Sequence, residues 1–201
     1  MKKKHKNPMK RANWKVIRYL EKLSYELNDN EHFNPQKYCS NIDEKLQQYK
    51  TSRRSKFVAN FHIVFVTRGR VQILFKEVRT LIKQFLKEEI EINNWDSYAI
   101  EVMSNHIHLF VSLDNKASIP KFVGKIRRKV MNKILLCFPI LKKALGEELF
   151  SHSYYSGTIG NVTGFSLMNY ISKQWEEEKK ERYYQFKKND ELKNLKLTSF
   201  F

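Results

Sequence analysis

Asn105 to Leu113 reads Asn-His-Ile-His-Leu-Phe-Val-Ser-Leu, and alternation of this kind requires a strand with two unlike faces. Ile107, Leu109, Val111 and Leu113 make one face, apolar enough to lie on a core. His106, His108, Phe110 and Ser112 make the other. Two imidazoles two residues apart on a strand point the same way and can share one metal ion. His-x-His also arises by chance, and the spacing alone leaves both readings open until a third ligand is found elsewhere.

The 201 residues suffice for one domain with appendages. No apolar run approaches the roughly 18 residues of a membrane span. The start, Met-Lys-Lys-Lys-His-Lys, has no apolar segment of the signal-peptide kind behind it. Cys39 and Cys137 are too few and too far apart for a zinc knuckle or a disulfide framework. A reducing cytoplasm is the expected location, with no membrane and no small-molecule substrate. The net charge of +17 points to a polyanion, usually nucleic acid. A merely solubilising surface is the alternative. Aromatic residues interleaved with the cations favour a surface on which bases stack while phosphates are neutralised.

Along the chain, residues 1–8 are basic and expected to be disordered. Val16, Leu20, Leu23 and Leu27 then mark an amphipathic helix between Met9 and Leu27. Residues 31–40 read as loop. Asn41 and Glu44 resemble a capping box before a short helix, and Thr51–Lys56 is a basic linker. Residues 1–56 hold 15 Lys and Arg against 6 Asp and Glu, a net +9. They read as an extension, either a helical prop or an auxiliary nucleic-acid contact.

Phe57–Thr67 is β-rich, Glu77–Ile92 helical, and Ser97–Met103 a strand joined tightly to the His-x-His strand. Ser118 and Pro120 open a helix with Phe122, Val123, Ile126, Val130 and Ile134 on one side. Lys121, Lys125, Arg127, Arg128, Lys129 and Lys133 lie on its other side. Phe138-Pro139 ends it, and residues 140–150 read as loop or short helix. A fourth strand over Ser153–Ile159 precedes a joint at Gly160 and Gly164 and a terminal helix to about Gln185. The order β-α-β-β-α-β, then α, is the α+β, ferredoxin-like arrangement: an antiparallel sheet with two helices on one face and the other face free. The expected divisions are 1–56, a basic helical extension; 57–162, the ferredoxin-like domain; and 163–201, the terminal helix and tail.

The terminal helix contains Tyr170-Ile171-Ser172-Lys173-Gln174. Tyr170 and Gln174 share a face, one turn apart. The apolar stripe is Phe165, Met168, Ile171 and Trp175, with Tyr170 beside it. A half-buried packing tyrosine accounts for this pattern as well as a reactive one.

These residues, taken together and in order, resemble the single-tyrosine HUH transposases of the insertion sequence 200/605 type. The landmarks are Phe61–Thr67, Val102–Leu109, Phe138-Pro139, and Ser153-Tyr154-Tyr155 through Gly160–Thr163 to Tyr170–Gln174. Asn105 stands where an aspartate is commoner and Phe150 where a tryptophan is commoner; the long extension lies outside the minimal pattern. The resemblance implies cleavage and rejoining of single-stranded DNA with hairpin ends through a 5′-phosphotyrosine, with Tyr170 as nucleophile. It implies a divalent metal, Mg²⁺ or Mn²⁺, on His106, His108 and Gln174, and a homodimer with composite sites. Lys173 or the metal would favour the phenolate. Arg68, Arg70, Lys121, Lys125, Arg128 and Lys173 are the expected DNA contacts. Phe110 either stacks a base or fills the sheet; filling is expected. Two alternatives are a non-catalytic ferredoxin-like nucleic-acid-binding module and a replication-initiator or relaxase nuclease.

Overall fold

A computed structural model describes residues 9, 12–28, 42–114, 116–160 and 163–198; some side chains within helices lie outside the described set. The expectations for residues 1–8, for the loop over 31–40 and for an Asn41 cap fall outside the described residues.

The sheet is built on the alternating strand. In chain order the elements are α1 (Trp14–Asn28), α2 (Ile42–Gln47), β1 (Lys50–Thr51), β2 (Lys56–Phe57) and β3 (Asn60–Thr67), then α3 (Lys76–Ile92), β4 (Asp96–Val102) and β5 (His106–Ser112). They end with α4 (Ile119–Cys137), α5 (Pro139–Leu145), β6 (Phe150–Thr158) and α6 (Gly164–Thr198). Strands β4, β5, β3 and β6 lie side by side in that order, every pair antiparallel. This is the ferredoxin-like order expected from the sequence.

Ile107, Leu109 and Val111 of β5 and Ile63 and Phe65 of β3 are buried on one face. They meet Val78, Ile82 and Leu86 of α3 and Phe122, Val123, Ile126, Val130 and Ile134 of α4. Ile17 and Leu20 of α1 enter the same core, and the Asn13 N–H donates to the Ala144 carbonyl of α5 at 2.8 Å. Thus α1 is a structural part of the main core. Burying two such side chains fully is worth roughly 1.5–3 kcal/mol each.

The second sheet face is not free, contrary to expectation. Leu167, Met168, Ile171 and Trp175 of α6 pack on Phe110, Met103 and Ala99, with Leu46 of α2 beside them. The apolar stripe of α6 has to be buried somewhere, and the exposed apolar residues of this face are its partner. Phe110 is buried, so it fills the sheet as expected.

Three boundaries differ from the sequence reading. The run 57–67 is two strands, because Asn60 turns the chain into the main sheet: its Nδ2 donates to the Leu46 carbonyl at 2.8 Å, and its Oδ1 accepts from the Tyr98 hydroxyl at 2.8 Å. The fourth strand starts at Phe150 rather than Ser153. Helix α6 continues to Thr198, since residues 165–198 hold no glycine or proline to stop it. Ser118 is the N-cap residue of α4 and Pro120 lies in its first turn, though the Ser118 side chain makes no capping hydrogen bond.

Candidate functional site

Antiparallel pairing of β3 with β5 sets His62 opposite Phe110, Val64 opposite His108 and Val66 opposite His106. The side chains of His62, His106 and His108 therefore emerge on one sheet face. The His62 ring stacks on Phe110 with centroids 4.4 Å apart. His62 Nε2 lies 2.9 Å from His108 Nδ1. His106 Nδ1 lies 2.6 Å from Asn105 Oδ1. An amide oxygen only accepts, so His106 Nδ1 carries the proton and Nε2 bears a lone pair. His108 Nε2 is buried with no hydrogen-bond partner among the described residues.

All three imidazoles are held neutral. Burial lowers the pKa of His108 to about 3, with the His106 and His62 rings adding to the effect. Burial, then the Arg70 guanidinium, lowers His106 to about 4. Burial alone takes His62 to about 4.

Helix α6 supplies the other wall. Tyr170 stands edge-on to His62 and His108, with ring centroids 5.4 and 5.6 Å away. Burial raises its pKa, and Tyr155 and Glu177 raise it further. Gln174, one turn on, donates from Nε2 to Glu177 Oε2 at 3.0 Å, which leaves its amide oxygen available. The helix is fastened beyond its apolar stripe. Glu178 Oε2 accepts the Ser104 N–H at 3.1 Å, and Oε1 lies 3.6 Å from Arg79 Nη1. The Arg79 guanidinium lies over the Trp175 ring, 5.4 Å from its centroid. Together these contacts fix the rotation of α6, and thereby the side to which Tyr170 and Gln174 point.

The result is a cavity of about 490 Å³ lined by His62, Arg70, Asn105, His106, His108, Tyr155, Tyr170 and Gln174. Gly157 matters to its shape: a Cβ there would stand 2.7 Å from the Tyr155 hydroxyl, so glycine leaves space for that ring to lean toward His62.

The structure brings His106, His108, Tyr170, Gln174 and Arg70 together within one chain. It does not bring the other expected cations there. Arg68 is turned inward, donating from Nη1 to the Leu145 carbonyl at 2.9 Å and lying 3.6 Å from Glu148. It holds α5 in place instead of facing a ligand. Lys121, Lys125 and Arg128 are exposed on α4, on the opposite side of the sheet from the cavity. Lys125 hydrogen-bonds Asn93 and lies over the Trp95 ring. Lys173 is exposed, and the groups acting on the Tyr170 phenol are Tyr155 and Glu177. Burial, Tyr155 and Glu177 all raise the Tyr170 pKa, so whichever group favours the phenolate, Lys173 or a metal, has that opposition to overcome.

His62 and Tyr155 went unrecognised in the sequence. The signal for His62 was present, since His62, Val64 and Val66 alternate with Ile63 and Phe65. Only the strand pairing shows that the side carrying His62 meets the histidine side of β5.

Among the described residues no three His, Cys, Asp or Glu side chains are grouped as a metal site. A cation here would rest on two imidazoles and one amide oxygen, because His62 Nε2 is spent on His108. That donor set fits a divalent ion with open positions for other oxygens. The orphaned Nε2 of His108 is the observation that supports the fit.

The chain is 27% identical over 132 residues to the ISDra2 transposase TnpA of Deinococcus radiodurans, covering 65% of this chain and 94% of that one. It is 28% identical over 131 residues to the transposase for insertion sequence element IS200 of Salmonella typhimurium, covering 65% and 86%. A crystal structure from Deinococcus radiodurans R1, assigned as a transposase, superposes with a TM-score of 0.53 at 28% identity, covering 62% of this chain and 97% of that one. The family model described as "Transposase IS200 like" matches residues 55–174, from the turn before β2 to Gln174, so the chain belongs to the IS200-like transposase family.

Proposed function

We propose that this transposase cleaves and rejoins single-stranded DNA at the ends of an insertion element, through a 5′-phosphotyrosine formed by Tyr170. The supporting observation is the placement of Tyr170 and Gln174 against His106 and His108 around one cavity. In this reading residues 57–162 are the scaffold, 163–201 carry the nucleophile and 1–56 are the extension.

His106 and His108 offer Nε2 lone pairs and Gln174 its amide oxygen to a divalent ion, Mg²⁺ or Mn²⁺. When bound, such an ion polarises a phosphate oxygen and offsets the charge that builds on the phosphoryl group. The chain's own residues do the rest. Asn105 accepts the His106 Nδ1–H, which fixes that ring in the tautomer with a free Nε2, and the His62 Nε2–His108 Nδ1 bond leaves His108 Nε2 free for a metal in the tautomer where His108 donates. Arg70, on the cavity wall, offsets phosphate charge. The Tyr170 oxygen attacks phosphorus and gives up its proton to solvent, and the P–O bond to the 3′ oxygen breaks, that oxygen leaving with a proton from solvent as the free 3′-hydroxyl. The new P–O bond to tyrosine conserves the energy of the broken one, so a free 3′-hydroxyl can later displace the phenol and reseal the strand. Burial raises the phenol pKa further above its ordinary value, so Tyr170 rests protonated and must lose its proton as it attacks.

The partner is single-stranded DNA carrying hairpin ends, met in the cytoplasm. Lys121, Lys125 and Arg128 would contact phosphates of a segment reaching the far side of the sheet, and Lys173 those near the cavity mouth. A homodimer belongs to this reading; exchange of α6 about Gly160 and Gly164 would rebuild the same cavity from two chains.

The decisive experiment incubates protein and Mg²⁺ with labelled single strands from the element's flanks. The wild type should give an SDS-resistant protein–DNA adduct. Tyr170→Phe should lose the adduct and keep DNA binding. An adduct that survives Tyr170→Phe removes Tyr170 from the role. A non-catalytic binding module would give no adduct at all.

A further inference from the structure

A separate two-stranded ribbon straddles the start of the family's shared region, with β1 ahead of it and β2 just inside it. In β1 and β2, Lys50 pairs with Phe57 and Thr51 with Lys56. Its root is tied down: Lys50 Nζ lies 2.7 Å from Asp96 Oδ2 and donates to the Ser112 carbonyl at 3.2 Å. Its tip is a tight turn. The Ser52 N–H donates to the Ser55 carbonyl at 2.8 Å, and the two hydroxyls lie 2.7 Å apart. This geometry puts Arg53 and Arg54 at the very end of the ribbon. Arg53, Arg54 and Lys56 are exposed, with no ion-pair partner among the described residues.

An aromatic ring stands at the foot of the ribbon. Tyr49 is 69% exposed, so its ring face is open to a ligand. It lines a cavity of about 670 Å³ whose other walls include Leu46, Gln47, Val58, Phe61 and Thr158. No charged side chain among the described residues lines that cavity. Phe61 and Thr158 are paired residues of β3 and β6, and the next pair along, His62 and Gly157, belongs to the catalytic end. Asn60 also lines this cavity and shares a sheet face with His62 two residues on, so at about 3.3 Å per residue the two cavities lie about 7 Å apart along β3 at that point.

We infer that the β1–β2 ribbon and Tyr49 form an auxiliary single-stranded DNA site: a flanking base stacks on Tyr49 in the uncharged cavity while Arg53, Arg54 and Lys56 hold the adjoining phosphates. An aromatic platform, an uncharged slot and unpaired cations on a rigid finger are the parts such binding needs. A duplex cannot use the slot, because its bases are already stacked. The site gives the extension two separate duties. Helix α1 props the core, and the ribbon extends the DNA track beyond the catalytic cavity. The inference rests on the proposed single-strand substrate.

The test measures binding of full-length protein to a fluorescent single strand from the element's flank, as a function of salt. The triple variant Arg53→Ala, Arg54→Ala, Lys56→Ala should reduce the slope of log K against log salt by about 2, since each single-strand phosphate contact contributes about 0.7. Tyr49→Ala should weaken binding by between about 5- and 150-fold with the slope unchanged, and Tyr49→Phe should restore it. All these residues are exposed, so unfolding temperatures should match the wild type and exclude misfolding. If the wild type forms the Tyr170 adduct but affinity and slope are the same in every variant, the ribbon site is wrong and the catalytic reading stands. If duplex affinity falls as much as single-strand affinity, the assigned occupant is wrong. If the slope falls as expected but no adduct ever forms, the ribbon site stands and the catalytic reading fails.

Discussion

Acidification should unfold this protein early, and the histidine cluster sets the magnitude. A histidine whose pKa falls on folding stabilises the fold fully above its unfolded value, near 6.5, and loses that contribution as pH drops toward its folded value. For His106 and His108 the folded values are about 4 and about 3, with burial the leading cause in both. At pH 5.5 each is about nine-tenths protonated in the unfolded chain and neutral in the folded one. The unfolded state then holds nearly two more protons, so stability falls by about 2–3 kcal/mol per pH unit at that point. Integrated from pH 7 to 5.5, the loss is again about 2–3 kcal/mol. The result hardly depends on the folded pKa values, provided both lie well below 5. His62 is more open to solvent and adds a smaller amount in the same direction. The assay is urea unfolding in a metal chelator at pH 7 and 5.5, for the wild type and for the double variant His106→Asn, His108→Asn. The double variant should lose about 2–3 kcal/mol less over this interval. If the two proteins differ by under about 0.5 kcal/mol in pH dependence, the imidazoles are not held neutral by burial, and the reasoning about their lone pairs falls with it.

Other consequences are equally open to measurement. His62→Phe should weaken Mn²⁺ binding about 10- to 100-fold by calorimetry, and His62→Gln, which keeps an acceptor, should recover much of it; equal affinities would show that His62 does not orient His108. Asn105→Asp should bind Mn²⁺ at least as tightly as the wild type, whereas Asn105→Leu should bind it more weakly, because the His106 Nδ1–H then lacks its acceptor. Leu20→Ala should cost about 2–5 kcal/mol in urea unfolding, as a fully buried leucine does; a cost near zero would make α1 a dispensable appendage.

The amino-acid sequence determined the local pieces. Alternation over Asn105–Leu113 dictated a two-faced strand and put His106 and His108 on one side of it. The spacing of Met168, Ile171 and Trp175 dictated an amphipathic α6, with Tyr170 and Gln174 on a shared face. Element order was enough for the ferredoxin-like sheet, because those periodicities are properties of the backbone and need no partner. The tertiary structure decided what lies across from what. Helix α6 covers the second sheet face since its stripe and Phe110 each need burial, and neither half of that contact shows itself alone. His62 became part of the site only through its register with β5. Arg68 turned inward to a carbonyl 77 positions away. Which groups desolvate one another depends on contacts between distant segments, and such contacts leave no periodic trace in the chain.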